Sequence, residues 1–154
     1  MIDRPTSVTL ALRIVVALSF MAGMTTVMVA IFRTDLVLAW AEGNAGARQI
    51  LREGGLAAVE RSLTVPGFVP IVVTSFVIFL MLVWVFAVFF REGFTWGRIC
   101  LGGVAVFGIF LAVLCIASDI PTLFVVLSIV MIVLCAALLV LLLHPDTTRY
   151  FREI

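Results

Sequence analysis

Lysine is absent from this chain of 154 residues: its ten basic residues are all arginine, and nine acids leave a formal charge of +1. Charged residues make up only 12% of the sequence, where a soluble domain carries about 25%. No bulk field therefore draws nucleic acid. Histidine occurs once, at His144, and cysteine three times, at Cys100, Cys115 and Cys135. No Cys-x-x-Cys pair exists, which argues against a dithiol redox site or a zinc site. An odd number of cysteines, all inside apolar runs, reads as small packing residues rather than a disulfide framework. One histidine beside Pro145, with no acid near it in the helix, reads as an interfacial residue rather than a proton relay. It also leaves no Ser/His/Asp set to assemble. Gly102-Gly103 lies within an apolar run and does not make a phosphate loop. The expectation is a protein that is not an enzyme, with no catalytic residues, no cofactor and no metal.

What the chain has in abundance is hydrocarbon. Hydrophobic residues are 64% of it and the mean hydropathy is +1.32, against about 45–50% apolar in a soluble domain. Four apolar runs stand out, Val8 to Phe32, Val69 to Phe90, Ile99 to Ala117 and Ile120 to Leu143. Each is long enough, at 1.5 Å per residue, to cross a hydrocarbon core about 30 Å thick. A backbone in lipid must satisfy its own hydrogen bonds, and the runs do not alternate as barrel strands do, so they read as helices. The first run is long, lacks a small-x-small cleavage site and is followed by three more, so it reads as a retained span. The expected fold is an all-α membrane protein, one domain of four transmembrane helices. Pro70 falls in the first turn of the second span, Pro145 stops the fourth, and Ser118 or Asp119 is placed to cap the fourth, with Pro121 in its first turn. The short link at 118–121 folds the third and fourth spans into an antiparallel hairpin.

Arginine sets the orientation. With the N-terminus inside, Arg4, Arg13, Arg91, Arg98, Arg149 and Arg152 are cytoplasmic, and Arg33, Arg48, Arg52 and Arg61 lie outside. The expected location is the bacterial plasma membrane, with both termini cytoplasmic. The one extended polar stretch, Arg33 to Phe68, is then extracytoplasmic. Residues 35–40 extend the first span by a turn or two, Gly43 to Gly46 break it, and 45–63 resume a helical pattern interrupted at Gly54-Gly55. Ile50, Leu51, Leu56, Val59 and Leu63 share one apolar side of this amphipathic segment. The simplest reading is a helical connector lying on the outer membrane surface. The sharper reading is a surface that docks a partner.

Charges inside spans are the usual mark of a transport path. Here the second, third and fourth spans have none, and Arg13 is near enough to the inner face to snorkel. Thr25, Thr26, Thr74, Ser75 and Ser128 are the polar candidates for a path, though such residues commonly bond within their own helices. Packing signals are richer. Phe76, Phe79, Val83, Phe86 and Phe90 form a stripe on the second span, a candidate core or partner-contact surface. Gly108 and Ala112 in the third span make a small-xxx-small pair, expected to receive that aromatic ridge. Arg91, Trp96 and Arg98, between the second and third spans, suit headgroup depth. They act either as lipid-headgroup contacts or as a topological anchor.

Leu12-Arg13-Ile14-Val15-Val16 and Gly97-Arg98-Ile99-Cys100-Leu101 are alike, which hints at duplicated hairpins. Three further patterns carry a resemblance: Arg4-Pro5 followed by Val8, Gly93-x-x-Trp96-x-Arg98-Ile99, and Pro145 with Tyr150-Phe151. With them the chain resembles a loose group of small four-span membrane proteins of actinobacteria, and its lack of lysine fits a high-GC genome. It departs from the group at Phe94 and Thr95, where a basic or amide residue is usual. The group brings no assigned activity, so the resemblance implies layout alone. The functional expectation is a non-catalytic accessory or assembly subunit of a larger inner-membrane complex, respiratory or envelope-building. Its partners would be membrane lipids and other integral membrane subunits. The alternative is a small homo-oligomeric transporter or channel.

Overall fold

The computed structural model describes residues 6–62, 67–118, 120–145 and 147, with Phe68 by its backbone alone. Six helices follow in order: α1 Thr6–Ile31, α2 Arg33–Gly43, α3 Ala45–Ser62, α4 Phe68–Arg91, α5 Thr95–Ala117 and α6 Thr122–Leu143. The chain is all-α among the described residues, and α1, α4, α5 and α6 are long and apolar enough to cross a membrane. It is a multi-pass membrane protein.

The four long helices form a ring in which each packs on two neighbours, in the order α1, α4, α5, α6 and back to α1. Short turns make α4–α5 and α5–α6 antiparallel. The hydroxyls of Ser7, at the start of α1, and Thr147, beyond α6, are hydrogen-bonded 3.0 Å apart, so α1 and α6 are antiparallel too. One end of the bundle therefore gathers the start of α1, the α4–α5 turn and the end of α6. The other gathers the α2–α3 pair and the α5–α6 turn.

The α4–α5 turn is built by glycine. Gly93 has φ 89, a left-handed conformation in which a Cβ is strained. The amide of Gly93 donates to the Phe90 carbonyl at 3.2 Å and that of Phe94 to the Phe89 carbonyl at 3.0 Å. This is the paired bonding of a Schellman cap, and the hydrophobic contact that accompanies it is present. The Phe89 and Phe94 rings meet edge to face, with centroids 5.7 Å apart. Gly97, one turn on, is buried against α4. A Cβ there would stand 2.7 Å from the Phe90 backbone nitrogen and 2.9 Å from Phe89 Cβ. Trp96 completes the corner, 4.8 Å from the Phe89 ring and 5.9 Å from Phe86. The helix α5 thus begins four residues before the apolar run, because Thr95 to Arg98 wind into its first turn.

At the other end the caps differ from expectation. Ser118 closes α5, its hydroxyl donating to the Leu114 carbonyl at 2.9 Å. Pro121 is itself the N-cap of α6, without a side-chain bond, and Asp119 lies outside the described residues. The expected extension of the first span is a separate helix. The chain bends at Phe32 (φ −96, ψ 28) into α2. The hydrogen-bond ladder is kept through the bend, from Phe32 to Met28 at 2.8 Å and from Leu36 to Phe32 at 3.1 Å.

Asn44 ends α2 and starts α3. Its Oδ1 accepts from the amides of Gly46 at 3.1 Å and Ala47 at 3.4 Å, satisfying donors at the helix start. The two helices fold into a hairpin, with Arg33 Nη2 3.5 Å from Glu60 Oε1. That pair is exposed and contributes less than about 1 kcal/mol. The Gly54-Gly55 interruption is real: Gly55 takes φ 67, ψ −170 inside α3.

The tightest core joins Val8, Ala11, Val15 and Leu18 of α1 to Val83, Ala87 and Phe90 of α4, Leu101 and Ala105 of α5, and Cys135, Leu138 and Leu142 of α6. These residues belong to the half of the bundle nearest the α4–α5 turn. Among the described residues the opposite half holds a small cluster of Val29, Phe124 and Leu127, flanked by Leu36 of α2 and Val72 of α4. Among the described side chains of α4, none before Val83 is buried.

Two substitutions test this description. Gly97→Ala forces a methyl into the α4 backbone, which no rotamer relieves, and is expected to lower stability by about 1–3 kcal/mol. Gly103→Ala meets nothing within 4 Å and is expected to be neutral or to stabilise by up to about 1 kcal/mol. Thermal unfolding in detergent, by circular dichroism, separates the two.

Candidate intramembrane site

The half of α4 nearest the α2–α3 pair leaves space beside it. A cavity of about 930 Å³ lies between the four spanning helices and opens sideways between α4 and α5. Ile78 and Leu82 on one lip and Phe107 and Leu111 on the other are exposed.

The cause is a mismatch of surfaces. The Phe stripe of α4 does turn inward: Phe76, Phe79 and Phe86 line the cavity, and Phe90 is fully buried in the core. The small face of α5, however, is not pressed against it. A Cβ on Gly108 would lie 3.1 Å from Cys135 Sγ, and one on Gly102 would lie 4.0 Å from Leu139, both on α6. The expectation that the small-xxx-small pair would receive the aromatic ridge is corrected. The smooth face of α5 is used by α6, the pair in most extensive contact. The ridge meets α1 instead at Gly23, where a Cβ would lie 3.4 Å from Phe76, while Phe79 and Phe86 pack against the edge of the core and also face the cavity.

Polar groups in this cavity are few. Thr25 and Thr26 line it, and their hydroxyls donate to the Met21 and Ala22 carbonyls of their own helix, each at 2.9 Å. Ser75 and Ser128 also line it, and Thr74 sits exposed on α4 beside them. All three cysteines border the cavity, Cys135 buried, Cys100 and Cys115 half-buried, and all carry free thiols. Among the described residues no three His, Cys, Asp or Glu side chains gather as metal ligands. His144 is the C-cap of α6, away from the cavity, its amide donating to the Leu141 carbonyl at 3.3 Å. No reading of the sequence anticipated the cavity, because hydropathy does not report which face of a helix its neighbour takes.

The other predicted surfaces fall as follows. Val59 is fully covered. It packs with Ala47 of its own helix and Ala41 of α2, flanked by Trp40, Ile50 and Leu51. The segment thus turns Val59 onto α2, while Ile50 and Leu51 at the edge of this contact are half-buried. Leu56 is half-buried, and Leu63 lies outside the described residues. Arg91 is exposed in the last turn of α4, while Trp96 and Arg98 lie in the first turn of α5, Arg98 half-buried. The structure brings these three to one end of the bundle and gives the Trp96 ring a packing role on Phe86 and Phe89. A shallower pocket of about 470 Å³ separates α2 from the α5–α6 turn, lined by Leu36, Trp40, Asn44, Ser118 and Ile120 among others.

The buried polar pair Ser7 and Thr147 lies far from the cavity and latches the bundle end. Thr147 is fully buried and also donates to the Leu141 carbonyl at 2.8 Å. Thr147→Val strands both partners and is expected to cost about 1–3 kcal/mol. The Ser7→Ala, Thr147→Val double variant is expected to cost less than the sum of the single ones. Unfolding midpoints of the four proteins in one detergent give the comparison.

Set against protein families, curated proteins and solved structures, the chain matches none.

Proposed function

We propose that the protein is a non-catalytic accessory or assembly subunit of a larger complex in a bacterial plasma membrane, working by contact with another integral membrane subunit. The observation that carries this reading is Trp84. Its side chain is 48% exposed on the outward face of α4, within a stripe that includes Val77, Met81, Val85 and Val88. It sits about 7 Å from the middle of α4 at 1.5 Å per residue. Tryptophan normally marks the two interfaces, and the hydrocarbon half-thickness is about 15 Å. An indole N–H at this depth has no acceptor in lipid, and it has none among the described residues of the chain. A neighbouring helix that offers a carbonyl or hydroxyl supplies one, and interhelical bonds of this kind hold spans together.

Both termini are cytoplasmic in this reading. That orientation is supported by the arginines of the α4–α5 turn and the chain ends, six against four on the opposite side. The transport alternative draws less support. The cavity has no charged lining residue, and its threonine hydroxyls are bonded within α1.

A photo-crosslinking residue at position 84, in cells carrying the full chain, tests the proposal. One discrete protein adduct is expected there and at position 88, with lipid adducts alone at position 20, where Phe20 is 72% exposed on α1. Lipid adducts alone at all three positions would contradict it. A ladder of self-adducts would favour the homo-oligomer instead.

A further inference from the structure

The lining of the bundle cavity is graded along its depth. Thr25 and Thr26 on α1, Ser75 on α4 and Ser128 on α6 stand about 8–11 Å from the ends of their helices nearest α2–α3. Three of the four walls therefore carry hydroxyls at one level. Beyond that level, toward the α4–α5 turn, the walls are Phe79, Leu82, Phe86, Val104 and Met131, closed by the packed core. The stretch from Ser75 to Phe86 on α4 is about 16 Å long.

Ser128 is the group that asks for a ligand. It is only 8% exposed and lines the cavity. Ser19, Thr25, Thr26 and Ser118 all bond back to the carbonyl one turn earlier. Ser128 makes no such bond and has no other partner among the described residues. No wholly buried side-chain oxygen lacks a partner among the described residues, so the Ser128 hydroxyl is open to the cavity it lines and is available to a ligand there.

We propose that this cavity binds an uncharged single-chain lipid. Its small polar group, an alcohol or a carbonyl, bonds to Ser128, and its chain runs past Phe79 and Phe86 toward Cys100. Charge is excluded because no charged side chain lines the site. Depth excludes the glycerol-ester region of a phospholipid. The hydroxyl level at Ser75 is about 7 Å from the middle of α4, whereas that region lies at the interface, about 15 Å from the midplane. A polar group that sinks so far has to be small and neutral. The opening between α4 and α5 faces the bilayer, so the lipid arrives sideways. The site is distinct from the Trp84 face and does not depend on a protein partner there.

The test uses the purified full chain in detergent micelles and native mass spectrometry. The probes are geranylgeraniol, the same hydrocarbon without its hydroxyl, and phosphatidylglycerol. Geranylgeraniol is expected to bind best. Ser128→Ala is expected to weaken the alcohol by about two- to ten-fold, the worth of one neutral hydrogen bond, and to leave the hydrocarbon unchanged. Gly103→Phe fills open space in the cavity wall and is expected to abolish binding of both. Should that variant fail to fold, a diazirine analogue of the alcohol on the unaltered chain is expected to label residues 75–86 and 103–111. Equal binding of alcohol and hydrocarbon, an unchanged affinity in Ser128→Ala, a preference for phosphatidylglycerol, or labelling confined to the Trp84 face would each overturn the proposal.

Discussion

In a bilayer the tails of the lipids are as apolar as leucine, so nothing drives two greasy helices together for being greasy. What holds them is how closely their surfaces approach, and in this protein that is decided by a handful of small residues. Gly97 lets the first turn of α5 lie against the Phe89 and Phe90 backbone. Gly108 does the same for α5 on α6 at Cys135. Where such contacts exist the bundle is closed, around Val83, Ala87, Leu101, Ala105 and Leu138. Where α4 presents a ridge of phenylalanines and no smooth face answers it, the bundle stays open.

That asymmetry organises the molecule. The end built on the Gly93 cap and the Ser7–Thr147 latch is rigidly determined by backbone contact and buried hydrogen bonds. The end beneath the α2–α3 hairpin is spacious, and it is there that the hydroxyls cluster. Polar groups deep in a membrane are rarely idle. Two of these side chains explain themselves: Thr25 and Thr26 return their hydroxyl protons to their own helix. Ser128 does not, and it is the residue on which a ligand-binding account turns. The outward Trp84 makes a separate claim, on a protein neighbour rather than a small molecule.

The spans themselves were legible in the residues, because a run of twenty apolar side chains has few other uses. So were the glycine interruption at Gly55 and the turn at Asn44, since each needs a backbone conformation or a cap that only certain residues supply. That the Phe stripe shares one face followed from its three- and four-residue spacing, but whether that face met the core or a partner did not. The partner of the small face of α5 could not be read, because Gly108 and Ala112 permit a close approach without saying which helix makes it. For the same reason the covering of Val59 by α2 was hidden: an amphipathic face is equally served by lipid, a partner or the chain's own preceding helix. Pro121 was read as a first-turn residue and proved to be the cap, a shift of one position at the 118–121 link. Trp96 was weighed for lipid contact from its neighbours in sequence, while its ring turned out to pack on phenylalanines one helix away.

The central claim is that the open half of the bundle holds hydrocarbon and admits no water. Nitroxide labels at positions 75 and 103, in a cysteine-free chain reconstituted into liposomes, report it directly through collisions with oxygen and with a water-soluble nickel chelate. The account predicts frequent oxygen collisions and almost none with nickel at both positions, against strong nickel collisions at exposed Glu53. Nickel collisions at 75 and 103 comparable to those at 53 would mean a water-filled path through the four helices, and the contact-and-lipid account would be wrong.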